Sequence, residues 1–199
     1  MFPLVWQGRH GNCMAAVTSE AMKTMLEHQQ VTSSATEAGG VLAGYRRGPH
    51  LEIVAVSTPG RQDGRSRTRF DRRDPKHKKF IRDLWKSSKG KVDYLGEWHT
   101  HPERIPYPSG LDFSQAREIS GKFPRAPILE LVVGTEGMWL GTVSPTSIDE
   151  FSALRDAGLP APSAIILPDS IGSPHEEMAR SDSGSRFMQW IRSLGKVPD

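Results

Sequence analysis

The sequence is poor in cysteine, contains no long apolar run and has no large excess of either charge. Cys13 is its single cysteine, which excludes an internal disulfide framework and a metal site built on several thiolates. No window approaches about 18 consecutive apolar residues, so no membrane span is expected. The first nine residues lack the charged start and apolar run of a secretory signal. We therefore expect a cytoplasmic protein in which any metal is bound by His, Asp or Glu.

Length and composition indicate one domain with an appended segment. Hydrophobic residues make up 36% of the 199 residues and charged residues 25%, which is ordinary for a globular domain. Proline, serine and glycine become frequent after residue 145. We therefore predict a main domain over residues 1–145 and a peripheral extension over 146–199, with a short helix at 187–194.

Apolar periodicity predicts an α/β protein with a mixed, mostly antiparallel sheet flanked by helices. Strands are expected at residues 3–6, 37–45, 51–57, 92–101, 127–134 and 138–143. Helices are expected at residues 14–28, at 75–86 and after Ser109, whereas 59–69 is interpreted as a loop. The glycines within 37–45 indicate a strand that another chain segment approaches closely.

Two histidines spaced two residues apart mark the candidate site. Side chains alternate along a strand, so His99 and His101 share one face if residues 92–101 are extended. Pro102 cannot donate to a sheet, so the strand is expected to end there. Two imidazoles placed in this way can bind one metal ion.

A serine and an aspartate downstream complete this pattern. Ser109 is predicted to cap a helix whose first turn contains Asp112, where a carboxylate is electrostatically favoured. Two imidazoles and one carboxylate leave a tetrahedral position open, as in catalytic zinc sites, and a water held there ionises near neutral pH. The Ser109 hydroxyl could also stabilise an oxyanion.

An activated water needs a general base, and two glutamates are candidates. Glu97 shares the strand face of the two histidines, whereas Glu37 begins the glycine-containing strand. Spacing alone does not decide between them. The remaining histidines lack a partner at ligand spacing and are interpreted as surface residues: His10, His28, His50, His77 and His175.

Taken together, Glu37, His99-Thr100-His101-Pro102 and Ser109-Gly110-Leu111-Asp112 resemble the JAMM motif of the JAB/MPN metalloprotease family. The resemblance covers about residues 14–143 and implies a JAB/MPN-like (cytidine-deaminase-like) fold. It implies Zn2+ bound by His99, His101 and Asp112. It also implies that Glu37, rather than Glu97, is the general acid/base and that Ser109 supports the oxyanion.

Residues 70–77 and 96–103 are similar to a bacterial branch of that family. Its members occur in antiphage operons of two kinds, the cyclic-nucleotide (CBASS) systems and the operons that encode a ubiquitin-like modifier. The resemblance implies a zinc isopeptidase that cleaves after the C-terminal glycine of a ubiquitin-like modifier, in deconjugation or precursor maturation. The implied partners are the modifier or its conjugate and the ubiquitin-activating-like and ubiquitin-conjugating-like proteins of the operon.

A basic segment suggests an alternative function. Residues 61–79 contain nine basic and three acidic residues, a balance suited to an acidic partner or nucleic acid. Aromatic residues do not alternate with these charges, as a single-strand binder would require. Nucleic-acid association is therefore the weaker alternative. A zinc nucleobase deaminase is disfavoured because the Pro-Cys-x-x-Cys half of its site is absent.

Overall fold

The computed structural model describes residues 5–9, 13–123 and 126–154. Within these ranges the elements follow in the order β1 (Val5–Gly8), β2 (Met14–Val17), α1 (Ser19–Leu26), β3 (Gly39–Arg47), β4 (His50–Val56), β5 (Gly64–Ser66), β6 (Arg69–Asp71), α2 (Lys76–Ser87), β7 (Asp93–Thr100), α3 (Gly110–Ser120), β8 (Ile128–Val133), β9 (Met138–Val143) and β10 (Ile148–Ala153). None of the helices in these ranges is long and apolar enough to span a bilayer.

Eight strands form a closed sheet in the order β1-β10-β9-β8-β7-β3-β4-β2, with β2 paired back onto β1. Neighbouring strands are antiparallel except for the parallel pairs β2–β4 and β7–β8. The predicted mixed, mostly antiparallel sheet is therefore confirmed, although its closure was not predicted. The core inside the sheet includes Trp6, Met25, Leu42, Trp98 and Leu131.

β7 lies between β3 and β8, and glycines allow these strands to approach closely. A Cβ atom at Gly96 would lie 1.9 Å from the Leu129 carbonyl oxygen, and φ at Gly96 is +153°. On β3, a Cβ atom at Gly40 would lie 2.1 Å from the Ser57 carbonyl oxygen. The close approach predicted from the glycines is therefore confirmed.

The helix predicted over residues 14–28 was wrong in its first turn, which is strand β2. Thr18 has extended backbone angles (φ −68°, ψ 154°), and its side chain accepts a hydrogen bond from the Ala21 amide. This N-cap starts α1 at Ser19. Before the cap, Ala15 and Val17 are buried on a strand that pairs with both β1 and β4.

The predicted loop at 59–69 was also wrong, because it contains β5 and the start of β6, which pair as a short antiparallel hairpin. Each of these strands has three residues, too few to show a clear alternation of apolar and polar positions. Side chains near the turn anchor the hairpin. Arg67 donates to the carbonyl oxygens of Thr32 and Ser33, and Gln30 donates to the carbonyl oxygen of Arg67.

The sheet also extends past the predicted boundary at residue 145. β10 pairs with both β9 and β1 and so completes the ring of strands. Half of its sequence, Ile-Asp-Glu-Phe-Ser-Ala, is polar, and Phe151 is its buried side chain. Local sequence therefore gave a weak strand signal. The helix predicted at 187–194 lies outside the described residues, as does the start of the strand predicted at 3–6.

His77 is fully buried, so its interpretation as a surface residue was wrong. The Ser57 hydroxyl lies 2.6 Å from His77 Nδ1, and His77 Nε2 lies 2.8 Å from the Asp63 carboxylate. Ser57 Oγ also accepts a hydrogen bond from the Val41 amide. Burial lowers the pKa of His77 and so favours a neutral ring, in which Nε2 donates to the Asp63 carboxylate and Nδ1 accepts from the Ser57 hydroxyl. The Asp63–His77–Ser57 chain connects the segment before β5 to strand β3.

We expect His77→Ala to lower the free energy of unfolding by about 2 kcal/mol, because Ser57 and Asp63 each lose a buried partner. Burial lowers the pKa of His77 below its ordinary 6.5. The unfolded chain therefore binds a proton at His77 first as the pH falls, and the stability due to the neutral side chain is lost below about pH 6.5.

Urea unfolding at several pH values checks this prediction, with the exposed Lys86→Ala of the same helix as control. The stability difference between wild type and His77→Ala should narrow as the pH falls from about 7 to about 5. A difference that is constant across this range would contradict the neutral, buried histidine.

Candidate metal centre

His99 and His101 lie on one face at the end of β7, as the alternation predicts. The strand ends at Thr100, but the His101 amide donates to the Val133 carbonyl oxygen at 2.9 Å. This bond continues the pairing with β8 and keeps His101 in phase with His99. Trp98, the residue before His99, points to the other face and is buried in the core, where its indole donates to the Ser57 carbonyl oxygen at 3.0 Å.

Asp112 is held in place by the start of α3. Ser109 is the N-cap, and its hydroxyl accepts a hydrogen bond from the Asp112 amide at 3.3 Å. In return the Ser109 amide donates to Asp112 Oδ2 at 2.6 Å. This reciprocal capping box turns the carboxylate back towards the histidines. The predicted capping role of Ser109 is thus confirmed.

The three side chains meet at distances suited to a metal ion. His99 Nε2 and His101 Nε2 are 3.1 Å apart, and they lie 3.6 Å and 3.4 Å from Asp112 Oδ1 and Oδ2, respectively. Ligand atoms about 2.0 Å from zinc at tetrahedral angles are about 3.3 Å apart. Two imidazole nitrogens this close also need a proton or a cation between them. The donor set therefore fits zinc.

Glu37 lies beside this group and is almost fully buried, with 4% of its surface exposed. Its Oε1 is 4.0 Å from His101 Nε2. The Glu37 amide donates to the Ser66 carbonyl oxygen, and Arg65 Nε donates to the Glu37 carbonyl oxygen. The next amide, that of Ala38, donates to Thr100 Oγ1 at 2.9 Å. The β5–β6 hairpin and strand β7 together fix the backbone at Glu37.

Glu97, the other candidate base, has different partners. Its carboxylate forms an ion pair with Arg72 and accepts a hydrogen bond from the Tyr94 hydroxyl at 3.2 Å. These two contacts neutralise a carboxylate that is mostly shielded from solvent. Glu97 and Glu37 therefore differ in their contacts: Glu97 is paired with Arg72, whereas Glu37 lies beside His101. Strand spacing alone could not distinguish them.

Burial and neighbouring charges shift the acidity of the cluster. Burial raises the pKa of Glu37 to about 7, although the histidines oppose the shift. Burial also acts on Asp112, but its hydrogen bonds to His101 and His99 hold the pKa of this carboxyl far below its ordinary value. Glu37 is thus poised to exchange protons near neutral pH, whereas Asp112 stays ionised and available as a ligand.

Two carboxylates that the sequence analysis missed contact the outer nitrogens of the histidines. His99 Nδ1 lies 3.0 Å from Glu130 Oε1, and His101 Nδ1 lies 3.4 Å from Glu103 Oε2. Glu130 is 5% exposed and is the one charged residue of β8, Ile-Leu-Glu-Leu-Val-Val. A carboxylate within a buried apolar strand needs a partner, and this was the signal that could have identified it.

A cavity of about 190 Å³ opens beside the cluster. Residues from the end of β6, from β7, from β8 and from α3 line it, including Phe70, Arg72, His99, Gln115, Ala116 and Glu130. It leads from the hairpin to the His99 and Asp112 side of the cluster. Its position next to the three candidate ligands makes it the candidate binding cavity of this site.

Several basic residues of the segment at 61–79 form contacts with other groups of the chain. Arg65 donates to the backbone at Glu37, and Arg72 pairs with Glu97. Arg73 pairs with Asp71, and Lys76 donates to the Pro59 carbonyl oxygen. These contacts explain much of the local charge by structural roles. Binding of nucleic acid by this segment stays a prediction.

Comparison with known protein families agrees with the family resemblance seen in the sequence motifs. The profile of a family described as "Prokaryotic homologs of the JAB domain" matches residues 18–154. The chain belongs to the prokaryotic JAB family. The matched range includes all five candidate site residues and ends within one residue of β10, so the JAB domain continues past residue 145.

Relatives of this JAB-family chain bear a common name. Proteins called "CD-NTase/cGAS isopeptidase" are 39% identical over 125 residues in Escherichia coli (strain TW11681) and 38% identical over 145 residues in Vibrio cholerae. These alignments cover 63% and 72% of this chain, and 79% and 91% of the relatives. The solution structure of DSY2949 from Desulfitobacterium hafniense shares the fold, with a TM-score of 0.52, 22% identity and coverage of 69% and 89% of the two chains.

We expect His99→Ala to lower the zinc content of the purified protein well below one ion per chain, because two ligands rarely retain a zinc ion that three can hold. Elemental analysis after dialysis against a weak chelator measures this content. His50→Ala, at an exposed histidine outside the cluster, is the matched control and should retain the wild-type value. Full zinc occupancy in His99→Ala would contradict the ligand assignment.

Proposed function

We propose that this JAB-family protein is a zinc-dependent isopeptidase. It hydrolyses the amide bond between the C-terminal glycine of one protein and a lysine amine of another. The same chemistry removes residues that follow that glycine in a precursor. The observation that carries the proposal is the convergence of His99, His101 and Asp112 within ligand distance, with Glu37 4.0 Å from His101.

The residues of the chain divide the chemistry among them. His99, His101 and Asp112 would hold the zinc ion, which when bound supplies a polarised carbonyl and an acidic water at neutral pH. Glu37 accepts a proton from the attacking water as the new carbon–oxygen bond forms. Glu37 then delivers this proton to the lysine nitrogen as the carbon–nitrogen bond breaks. The Ser109 hydroxyl donates to the carbonyl oxygen while that oxygen carries negative charge.

The cavity beside the cluster suits an extended C-terminal tail. Within the described residues, β6 pairs with β5 alone, and the end of β6 forms one wall of the cavity while α3 forms the other. An extended peptide can add to such a strand edge through backbone hydrogen bonds, which tolerate many sequences. This arrangement would lead the tail towards His99 and Asp112.

The name of the relatives supports one substrate class. Their shared name, CD-NTase/cGAS isopeptidase, supports a CD-NTase as the protein whose C-terminus is conjugated, and the motif resemblance implies a ubiquitin-like modifier as the second candidate. We infer that the chain works in an antiphage operon of the CBASS kind, together with activating-like and conjugating-like proteins. A purified conjugate of each kind, incubated with the zinc-loaded protein, distinguishes the two substrates by the size of the released products.

We expect Glu37→Gln to retain zinc but to lower cleavage by at least about a hundredfold, because the amide cannot carry the proton from water to amine. Gel analysis of conjugate cleavage measures the rate, and elemental analysis measures the metal. Glu52→Gln on the surface of β4 serves as the matched control. Cleavage by Glu37→Gln at the wild-type rate would show that Glu37 is not the base.

We expect Gln115→Trp to lower kcat/KM by about tenfold or more, the equivalent of about 1.4 kcal/mol, because the indole fills the cavity proposed for the tail. Zinc content should not change. Ser114→Trp, an exposed position next to it on α3 that does not line the cavity, should cleave normally. Equal activity of both tryptophan variants would place the tail elsewhere.

A further inference from the structure

The two candidate histidine ligands have outer partners of very different exposure. His101 faces Glu103, whose side chain is 58% exposed, whereas His99 faces Glu130, whose side chain is 6% exposed. Exposed ion pairs are screened by water and contribute little, but a buried carboxylate interacts strongly with the one group it touches. Glu103 therefore serves as an internal comparison for Glu130: both face the outer nitrogen of a histidine, but Glu103 is exposed and Glu130 is buried.

We propose that Glu130 is a positioning residue that fixes the tautomer and ring orientation of His99 for metal binding. The inference rests on the zinc site of the proposed function. An imidazole that donates its Nδ1 hydrogen to a carboxylate must present the lone pair of Nε2 to the metal. Such an outer carboxylate also makes the imidazole a more basic ligand.

The pairing of β7 with β8 places Glu130 for this role. Glu130 is the cross-strand partner of Glu97, and Val132 is the partner of His99. Glu130 therefore lies one alternation before His99 on the same face. Its Oε1 comes within 3.0 Å of His99 Nδ1, while His99 Nε2 points to His101 and Asp112 on the opposite side of the ring.

The neighbouring carboxylate is engaged by other groups. Arg72 and the Tyr94 hydroxyl both bind the Glu97 carboxylate. Glu97 is thus neutralised by the Arg72 guanidinium, whereas Glu130 is directed at His99. In this proposal Glu130 acts through His99 and not on the scissile bond, which distinguishes its role from that of Glu37.

The test compares zinc affinity in four variants, measured by competition with a chromophoric chelator. We expect Glu130→Ala to raise the zinc Kd by about ten- to a hundredfold, the usual effect of losing an outer carboxylate. Glu130→Gln keeps an oxygen acceptor and should recover much of the affinity. Glu103→Ala, its exposed counterpart, and Glu52→Gln on β4 should change the Kd less than about threefold.

A spectroscopic measurement separates positioning from simple packing and needs no variant that folds poorly. In the zinc-loaded wild type, a proton–nitrogen correlation spectrum should show the Nδ1 hydrogen of His99, protected from exchange with solvent. This signal should exchange rapidly in Glu130→Ala, whereas Glu130→Gln, which keeps an oxygen acceptor, should retain much of the protection. Absence of the signal from the wild type, or an unchanged zinc Kd in Glu130→Ala, overturns the proposal, as does an equal loss in Glu103→Ala.

These outcomes are distinct from failure of the proposed function. A wild-type protein that binds no zinc would end both proposals. A wild type that binds zinc and cleaves conjugates, while Glu130→Ala binds zinc equally well, would overturn the role of Glu130 alone.

Discussion

The backbone pairing of β7 with β8 is the constraint on which the candidate metal centre depends. The pairing continues beyond the end of β7 through the bond from the His101 amide to the Val133 carbonyl oxygen, so both histidines stay on one face. The same register sets Glu97 opposite Glu130. Gly96 permits the close approach of the two strands, since any side chain there would collide with Leu129. The positions of the two histidines and of Glu130 thus follow from one strand register.

Features that depend on local spacing could be predicted from the sequence. The histidine pair needed the two-residue period of a strand, and the placement of Asp112 needed the capping preference of Ser109. Features that depend on distant partners could not. The strands of the β5–β6 hairpin are short, and β10 has only one buried side chain, so these segments are strands because of the elements they pair with. His77 was misjudged for the same reason, since its partners Ser57 and Asp63 are remote in sequence.

The buried charges illustrate the same limit at the level of single residues. Glu37 and Glu97 both have spacings compatible with a base, and the contact that separates them comes from Arg72. A buried ionised group must be paired or hydrogen-bonded. Within the described core around the cluster, Glu97 meets a guanidinium, Asp112 meets two imidazoles and Glu130 meets one. Sequence shows that these carboxylates exist, but their partners are set by the fold.

The hydrogen bonds between Glu37 and the hairpin have a consequence for how members of this family diverge. Ser66 and Arg65 hold the backbone of Glu37, and the end of the same hairpin forms a wall of the neighbouring cavity. In the proposed function, an amino-acid change in this hairpin would therefore alter both the surface that receives the substrate tail and the alignment of the Glu37 carboxylate. Substrate preference and turnover would then change together.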